Sequence, residues 1–403
     1  MTGGWTRARG PRVRALVLAA GYGTRLAPLT DAVPKPLLPV RGTTLVELTL
    51  ERLARAGCEA VALNLHHLGG AIRDRLGGSY RGLPLTYSEE PGILGTLGAL
   101  APLRDFFAGC EAVVVVNGDS LCRWPIARLL RRHRRRGAAA TLLFAGRAAP
   151  ERFGGGVAVD RQGRVVSFRA RAGEPDAERE RGAKIRRLVF AGAHVLDPAL
   201  VERAPERFSH LVHDLWEPLL EEGARIEAVT TGAPWYDLGT PRRYRDAATE
   251  GGVAPRGVRW LARRWAAPDA RVVRSARLRG SVVEAGAAVG AGARLRRSLV
   301  LPGARVGPGA VLEGCVVGFG AEVPAGARVR QRLICRRSAG GTVPAGSSVV
   351  GELVYAPLDP EKAPARAADA ADAVGVADAV ESAGAAETAA EGETVAGAAG
   401  GRA

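Results

Sequence analysis

The sequence predicts an α/β domain built on a mostly parallel sheet, followed by a parallel β-helix of three-sided coils. Two observations carry the first half. β-branched runs alternate with longer amphipathic stretches, and two of those runs end directly in Gly- and Asp-containing turns, the strand ends at which α/β sheets bind ligands. A third carries the second half: apolar residues recur with a period of seventeen.

In chain order, residues 1–12 are basic and Gly-rich and read as a flexible extension, lacking the apolar core that a signal peptide needs. Residues 15–20, 60–65, 113–116 and 140–144 read as strands of a domain spanning 13–248, with helical patterns between them. The first strand runs into Gly21-Tyr22-Gly23-Thr24-Arg25 and the third into Asn117-Gly118-Asp119. Residues 249–268, rich in Arg and Trp, read as a linker.

Beyond the linker, Val272, Val289, Val306 and Val323 are spaced by seventeen, as are Leu278, Leu295, Leu312 and Val329, and Val283, Val300, Val317 and Ile334. Within one period the steps are six, five and six residues, separated mostly by Gly, Ala and Pro. That suits one inward apolar residue per side and tight corners between sides. Val343, Val349 and Val354 repeat the pattern after a three-residue insertion and predict a fifth coil in a region spanning 269–357. Residues 358–403, rich in Ala, Gly, Glu and Asp, read as a disordered acidic tail, too weakly apolar to offset its ordering entropy.

Composition excludes several function classes. The 403 residues, 47% hydrophobic and 24% charged, suit an ordinary globular protein. No apolar run approaches about eighteen residues, so no membrane partner and a cytoplasmic location are expected. The five cysteines are odd in number and scattered without a CxxC pair, which argues against both a disulfide framework and a zinc site and for small buried apolar residues. The net charge of +16 favours anionic partners, and the run Arg131-Arg132-His133-Arg134-Arg135-Arg136 is its densest patch. Basic residues throughout are nearly all Arg in an Ala- and Gly-rich chain, a compositional bias, so that run reads as a solvated helix face and no nucleic-acid partner is expected.

The chemistry concentrates in Leu18-Ala19-Ala20-Gly21-Tyr22-Gly23-Thr24-Arg25-Leu26 and in Pro34-Lys35-Pro36-Leu37-Leu38-Pro39-Val40. Two glycines after a strand let the backbone approach phosphates, and its exposed N–H groups bind anionic oxygens, so the segment reads as a triphosphate cradle. A dinucleotide fingerprint would need glycine where Leu26 stands, and a P-loop would need Gly-Lys-Ser/Thr. Lys35, in a chain with few lysines, stands between two prolines that restrict the backbone presenting it.

Residues 18–40 resemble the signature of the sugar-1-phosphate nucleotidyltransferases, the enzymes that make GDP-mannose, dTDP-glucose and related compounds. The resemblance covers 13–246, and further landmarks follow in order: Leu94-Gly95-Thr96-Leu97-Gly98-Ala99, Val116-Asn117-Gly118-Asp119, residues 190–196, and Trp235-Tyr236-Asp237-Leu238-Gly239-Thr240-Pro241. It implies a Rossmann-like catalytic domain, and the C-terminal repeats resemble the hexapeptide-repeat left-handed β-helix. In this family the phosphate oxygen of a sugar phosphate attacks the α-phosphorus of an NTP in line and pyrophosphate departs. The attacking oxygen is already anionic, so positioning rather than a general base is required.

What the resemblance implies can be stated position by position. Arg25 and Lys35 are catalytic and stabilise the α-phosphoryl group and the departing pyrophosphate; Ala19, Ala20, Gly21, Gly23, Thr24, Gly95 and Thr96 bind the nucleotide; Gly155 and Gly192 line the sugar; Asp119 and Asp237 hold Mg²⁺. The residues by themselves also permit plain turns at Gly21 and Gly23, a solvated Lys35, and turn-forming aspartates. His210 and His213 read as helix histidines rather than a metal pair.

One departure stands out. Most active family members carry Glu-Lys-Pro after the strand that follows the Gly-containing turn, whereas here residues 165–168 are followed by Arg169-Ala170-Arg171-Ala172-Gly173, with Lys184 further on. The expected substrates are an NTP, GTP favoured, and a sugar 1-phosphate, as in mannose-1-phosphate guanylyltransferase. A glucose-1-phosphate thymidylyl- or uridylyltransferase and a catalytically impaired nucleotide-sugar-binding regulatory subunit are the alternatives. An acyl-transferring β-helix is disfavoured because residues 272–354 contain no histidine. Self-association through the β-helix is expected from the resemblance.

Overall fold

The structure, a computed structural model, describes residues 12–153, 156–168, 185–250, 264–337, 340–341 and 343–359. It forms two compact units: Met1–Tyr22, Val33–Leu38 and Thr44–Asp237 in the first, and Gly23–Ala32, Pro39–Thr43 and Leu238–Ala403 in the second.

The first unit is built on a ten-stranded sheet. Val13–Leu18 lies at its centre, parallel to Ala60–Leu65 on one side and to Ala112–Asn117 on the other. The chain thus steps one way from its first strand and then returns to the other side, which opens a crevice beyond the C-terminal ends of Val13–Leu18 and Ala112–Asn117. The sequence places residues 15–20 in that first strand, but the ladder ends at Leu18, because the N–H of Ala19 donates instead to Asn64 Oδ1 at 2.8 Å.

The sheet is less uniformly parallel than a pure βα alternation. Arg186–Leu196 runs antiparallel between Ala112–Asn117 and Ala140–Ala145. Its register slips between Phe190 and His194, where Gly192 adopts φ +75°, a bulge that only a residue without Cβ accommodates readily. Apolar side chains cover both faces: Ala15 and Val17 pack with Leu50, Leu53, Ile126 and Leu130, while Leu16 packs with Phe107, Trp216 and Leu219. The alternation of Ala15, Leu16 and Val17 between clusters is the period-two consequence of a strand covered on both sides.

Two buried polar groups mark this unit. The carboxylate of Glu227 is fully buried and answered by Arg132 at 2.5 Å and Arg225 at 2.6 Å, so part of the basic run neutralises an internal charge instead of facing solvent. His194, 1% exposed, has no hydrogen-bond partner on either ring nitrogen and packs against Phe190 and Trp216. Burial drives its pKa down to about 3, so the ring is neutral. The cysteines also follow the sequence reading: Cys58, Cys122, Cys315 and Cys335 are free and buried, and Cys110 is partly so.

The second unit contains the coils. Arg271–Val272, Ala288–Val289, Arg305–Val306 and Glu322–Val323 stack in parallel, as do Arg277–Arg279, Arg294–Arg296, Val311–Glu313 and Arg328–Arg330. Each pairs with the strand seventeen residues on, the period seen in the sequence. Val289, Leu295, Val300, Val306, Leu312 and Val317 point inward and are buried, and small Ala287, Ala293, Ala304, Ala310, Ala321 and Ala327 fill the space beside them. The corners turn through left-handed glycines in the same period, Gly286, Gly303 and Gly320 among them. At Gly303, with φ +71°, an added Cβ would meet nothing nearer than 3.9 Å, so Gly303→Ala carries backbone strain alone and is expected to cost about 1 kcal/mol in chemical denaturation.

A fifth coil does not form. Leu353–Pro357 runs antiparallel to Arg332–Arg336 and pairs with Ser348–Val350, while Val343 and Val349 are 48% and 42% exposed. Val354 is buried as its spacing demands, yet from a strand of opposite direction. The reversal occupies the open edge that a last parallel coil would otherwise leave.

Candidate active site

Four turns, the bulge at Gly192 and the strand Trp235–Asp237 carry the sequence-predicted residues that the structure describes. After Leu18, Ala19 and Ala20 are buried and Gly21 and Tyr22 emerge, with no atom within 4 Å of a Cβ built on Gly21. The Tyr22 hydroxyl lies 2.9 Å from His66 Nε2. Gly23, Thr24 and Arg25 belong to the second unit, where Gly23 (φ +67°) accepts from the Thr30 hydroxyl at 2.9 Å. Arg25 is exposed, and a Cβ built on Gly239 would come within 3.0 Å of its guanidinium, so glycine at 239 makes room for that side chain.

Lys35 sits in a short 3₁₀ turn opened by Pro34. Its side chain is 9% exposed and its Nζ donates to Asp119 Oδ2 at 3.0 Å, where Asp119 is 44% exposed. The pairing presents a buried cation at the edge of a solvent-facing carboxylate. Gly118, next to it, donates to Leu18 O at 2.9 Å, and an added Cβ would approach that oxygen to 2.6 Å. Only glycine lets the two strand ends close up and point Asp119 outward.

Asp119 and Asp237 come together. Trp235–Asp237 pairs antiparallel with Ser120–Cys122, placing Asp237 opposite Ser120, the neighbour of Asp119. Both aspartates line a cleft of about 310 Å³ with Gly192, Asn117, Phe153 and Trp235. Phe153 and Trp235 meet edge to face at 5.1 Å and form an apolar wall. Gly155, Arg169, Arg171 and Lys184 lie outside the described residues; Gly156 lines the cleft. Among the described residues no three His, Cys, Asp or Glu side chains gather as a metal cluster, and His213 bonds Glu217 at 3.0 Å.

Gly95 and Thr96 occupy a loop docked on residues 207–211. Leu97 N donates to Ser209 O at 3.1 Å, and Leu211 N to Thr96 Oγ1 at 3.0 Å. Gly95 has φ +80°, and a Cβ there would meet Ser209 O at 2.4 Å. Gly95→Ala is therefore expected to break both hydrogen bonds, read as faster amide exchange at Leu97 and Leu211, whereas Gly92→Ala, in open space, leaves both protected.

Sequence reasoning missed a buried relay between two of these turns. Asn64 accepts from Ala19 N and donates to Glu90 Oε1 at 2.8 Å, and Glu90 Oε2 accepts from Leu94 N at 2.8 Å. Both side chains are buried, so their positions fix the end of the first strand against the start of the Gly95 loop. The only sequence signal was an acidic residue in front of Pro91. Away from this cleft, a concavity of about 410 Å³ is lined by Arg128, Arg131, Arg132, Arg135, Arg161 and Arg186 and holds none of the sequence-predicted site residues.

The family model described as nucleotidyl transferase matches residues 14–251, and one described as GlmU-like, C-terminal hexapeptide matches 266–333. The chain is 32% identical over 249 residues to a mannose-1-phosphate guanylyltransferase of Mycobacterium tuberculosis, covering 60% of this chain and 66% of that protein. It is 29% identical to a mannose-1-phosphate guanylyltransferase catalytic subunit beta of Drosophila pseudoobscura pseudoobscura, covering 58% of this chain and 61% of the other, and 28% identical to a UTP–glucose-1-phosphate uridylyltransferase of Synechocystis, covering 58% and 62%. The matches thus span somewhat under two thirds of each relative's length.

Proposed function

Because the chain belongs to the nucleotidyl transferase family, whose model covers more than half of it, we propose that it joins a nucleoside triphosphate to a sugar 1-phosphate and releases pyrophosphate. The observation that carries this reading is the cleft at the strand ends, in which Asp119 and Asp237 face one opening and Lys35 Nζ is held 3.0 Å from the first of them. In the reaction an oxygen of the sugar phosphate bonds to the α-phosphorus while the α–β bridging P–O bond breaks and its electron pair leaves with pyrophosphate.

In this reading each residue has a defined task. The open backbone at Gly21 receives phosphate oxygens. Lys35, already desolvated, moves its ammonium from Asp119 to the developing charge on the phosphoryl oxygens, and Arg25 binds the departing pyrophosphate through its planar fork. Glu90 and Asn64 hold the Gly95 loop where it meets the base. Gly192 leaves the floor of the cleft low enough for a sugar, and the wall of Phe153 and Trp235 excludes water from one side of it.

The donor set fits Mg²⁺: two carboxylates on adjoining backbone positions, with hard oxygens and partial exposure. Bound by Asp119 and Asp237, the ion would neutralise phosphate charge on the incoming nucleotide. GTP and mannose 1-phosphate are the favoured substrates, on the strength of the first two relatives' names.

Pyrophosphate release with Mg²⁺, crossing ATP, GTP, CTP, UTP and dTTP against mannose, glucose and N-acetylglucosamine 1-phosphates, tests the reading. One dominant pair is expected. Silence across a folded sample that still binds a nucleotide sugar would favour the regulatory alternative, which the replacement of Glu-Lys-Pro by Arg-Ala-Arg motivates.

A further inference from the structure

One face of the β-helix carries far more charge than composition explains. In the sheet formed by Arg277–Arg279, Arg294–Arg296, Val311–Glu313 and Arg328–Arg330, the middle residues point inward, leaving eight outward positions. Six of the eight are arginine, in a chain where Lys and Arg together are 57 of 403 residues. The adjoining sheet shows no such bias: its outward column reads Arg271, Ala288, Arg305, Glu322.

In-register parallel pairing stacks these arginines directly above one another. Neighbouring strands are about 4.8 Å apart, well inside the screening length of about 8 Å at physiological ionic strength. Such columns repel along their whole length unless anions lie against them. Glu313 supplies one, at 2.9 Å from Arg296 and 3.4 Å from Arg330. Arg277, Arg279, Arg294 and Arg328 are exposed and have no acidic partner among the described residues.

The chain itself contains the complementary charge. Residues 367–401 hold seven acidic side chains, Asp369, Asp372, Asp378, Glu381, Glu387, Glu391 and Glu393, and no basic one. The last described strand, Leu353–Pro357, ends beside the same face. Pro357 pairs with Arg332, and Arg332 is separated from Arg330, the last arginine of the face, by the single corner residue Gln331 (φ +49°). Nine residues lie between Asp359 and Asp369, so at about 3.3 Å per residue the segment can cross all four coils, which together span about 14 Å.

We propose that the acidic segment 367–401 docks electrostatically on the arginine face Arg277–Arg279, Arg294–Arg296 and Arg328–Arg330 of the same chain. Docking neutralises the stacked guanidinium columns and competes with outside polyanions for them. It requires no fixed conformation of the segment, since opposite net charge rather than a set of matched contacts drives it.

Limited proteolysis of the full chain with a glutamate-specific protease tests this, with cleavage after Glu381, Glu387, Glu391 and Glu393 followed by mass. At about 0.02 M salt, Arg277→Gln/Arg294→Gln/Arg328→Gln is expected to be cleaved roughly fivefold faster than the unaltered chain, and the difference should vanish near 0.5 M salt. Equal rates at low salt would overturn the proposal. Retention on heparin, a polyanion probe, gives the second readout: neutralising the seven acids to Asn and Gln should raise the eluting salt concentration, and the triple arginine change should abolish that gain. A gain that survives the arginine changes would show a free acidic chain acting through net charge alone, and tight binding of a single-stranded oligonucleotide to the unaltered chain through these arginines would show an open face; either result overturns the docking.

Discussion

Lys35→Ala is expected to lower turnover about a hundredfold or more with little loss of stability, the scale found on removing one preorganised charge-stabilising donor. Lys35 is held between two prolines with its ammonium desolvated, so its charge is aimed before any substrate arrives. Its removal leaves Asp119 without that partner, but the carboxylate is 44% exposed and water can solvate it, so the melting temperature should move little. Lys35→Arg should not restore the rate, because a planar guanidinium cannot occupy the same 9%-exposed space as a compact ammonium. Steady-state pyrophosphate release beside thermal unfolding of the same samples checks both halves. An unchanged rate would remove Lys35 from the mechanism.

The second large effect is on acid stability. His194 is neutral in the folded chain, its pKa depressed to about 3, against an ordinary value of 6.5 when unfolded. As pH falls below 6.5 the unfolded chain takes up a proton that the folded chain refuses, so stability is lost progressively down to about pH 3. One proton corresponds to about 1.4 kcal/mol per pH unit, hence about 2.7 kcal/mol between pH 6.5 and 4.5. His194→Leu, in a pocket already lined by Phe190 and Trp216, should abolish this component and raise stability at pH 5 by about 2 kcal/mol. Urea unfolding at several pH values measures it; parallel curves for the two proteins would show that His194 does not govern the slope.

Much of this molecule was legible from its sequence, for reasons that differ by region. The inward residues of the coils could be named individually because a seventeen-residue period and a six-five-six step leave one geometrical solution. The turn at Gly23 was legible because glycines directly after a strand signal a backbone open to phosphates, whereas Gly95 and Gly192 were named only through the family resemblance; the positive φ that requires glycine at both is visible only in the structure. The reversal at Leu353–Pro357 was not, since the spacing of Val343, Val349 and Val354 is the same whichever way the last strand runs. Nor was the Asn64–Glu90 relay, whose members are 26 residues apart and meet only because strands Ala60–Leu65 and Leu83–Glu89 are neighbours. Phe153, too, becomes a site residue only through its contact with Trp235.

The alanine layers and left-handed corners of the coils make the interior of each turn of the β-helix equivalent to the next. Removing or duplicating seventeen residues between matching corners, such as Gly303 and Gly320, would return every inward side chain to the same column and every glycine to the same bend. The interior of this part of the chain can therefore change by whole modules without a new core contact, and a relative with fewer or more turns would need no compensating substitution in its core.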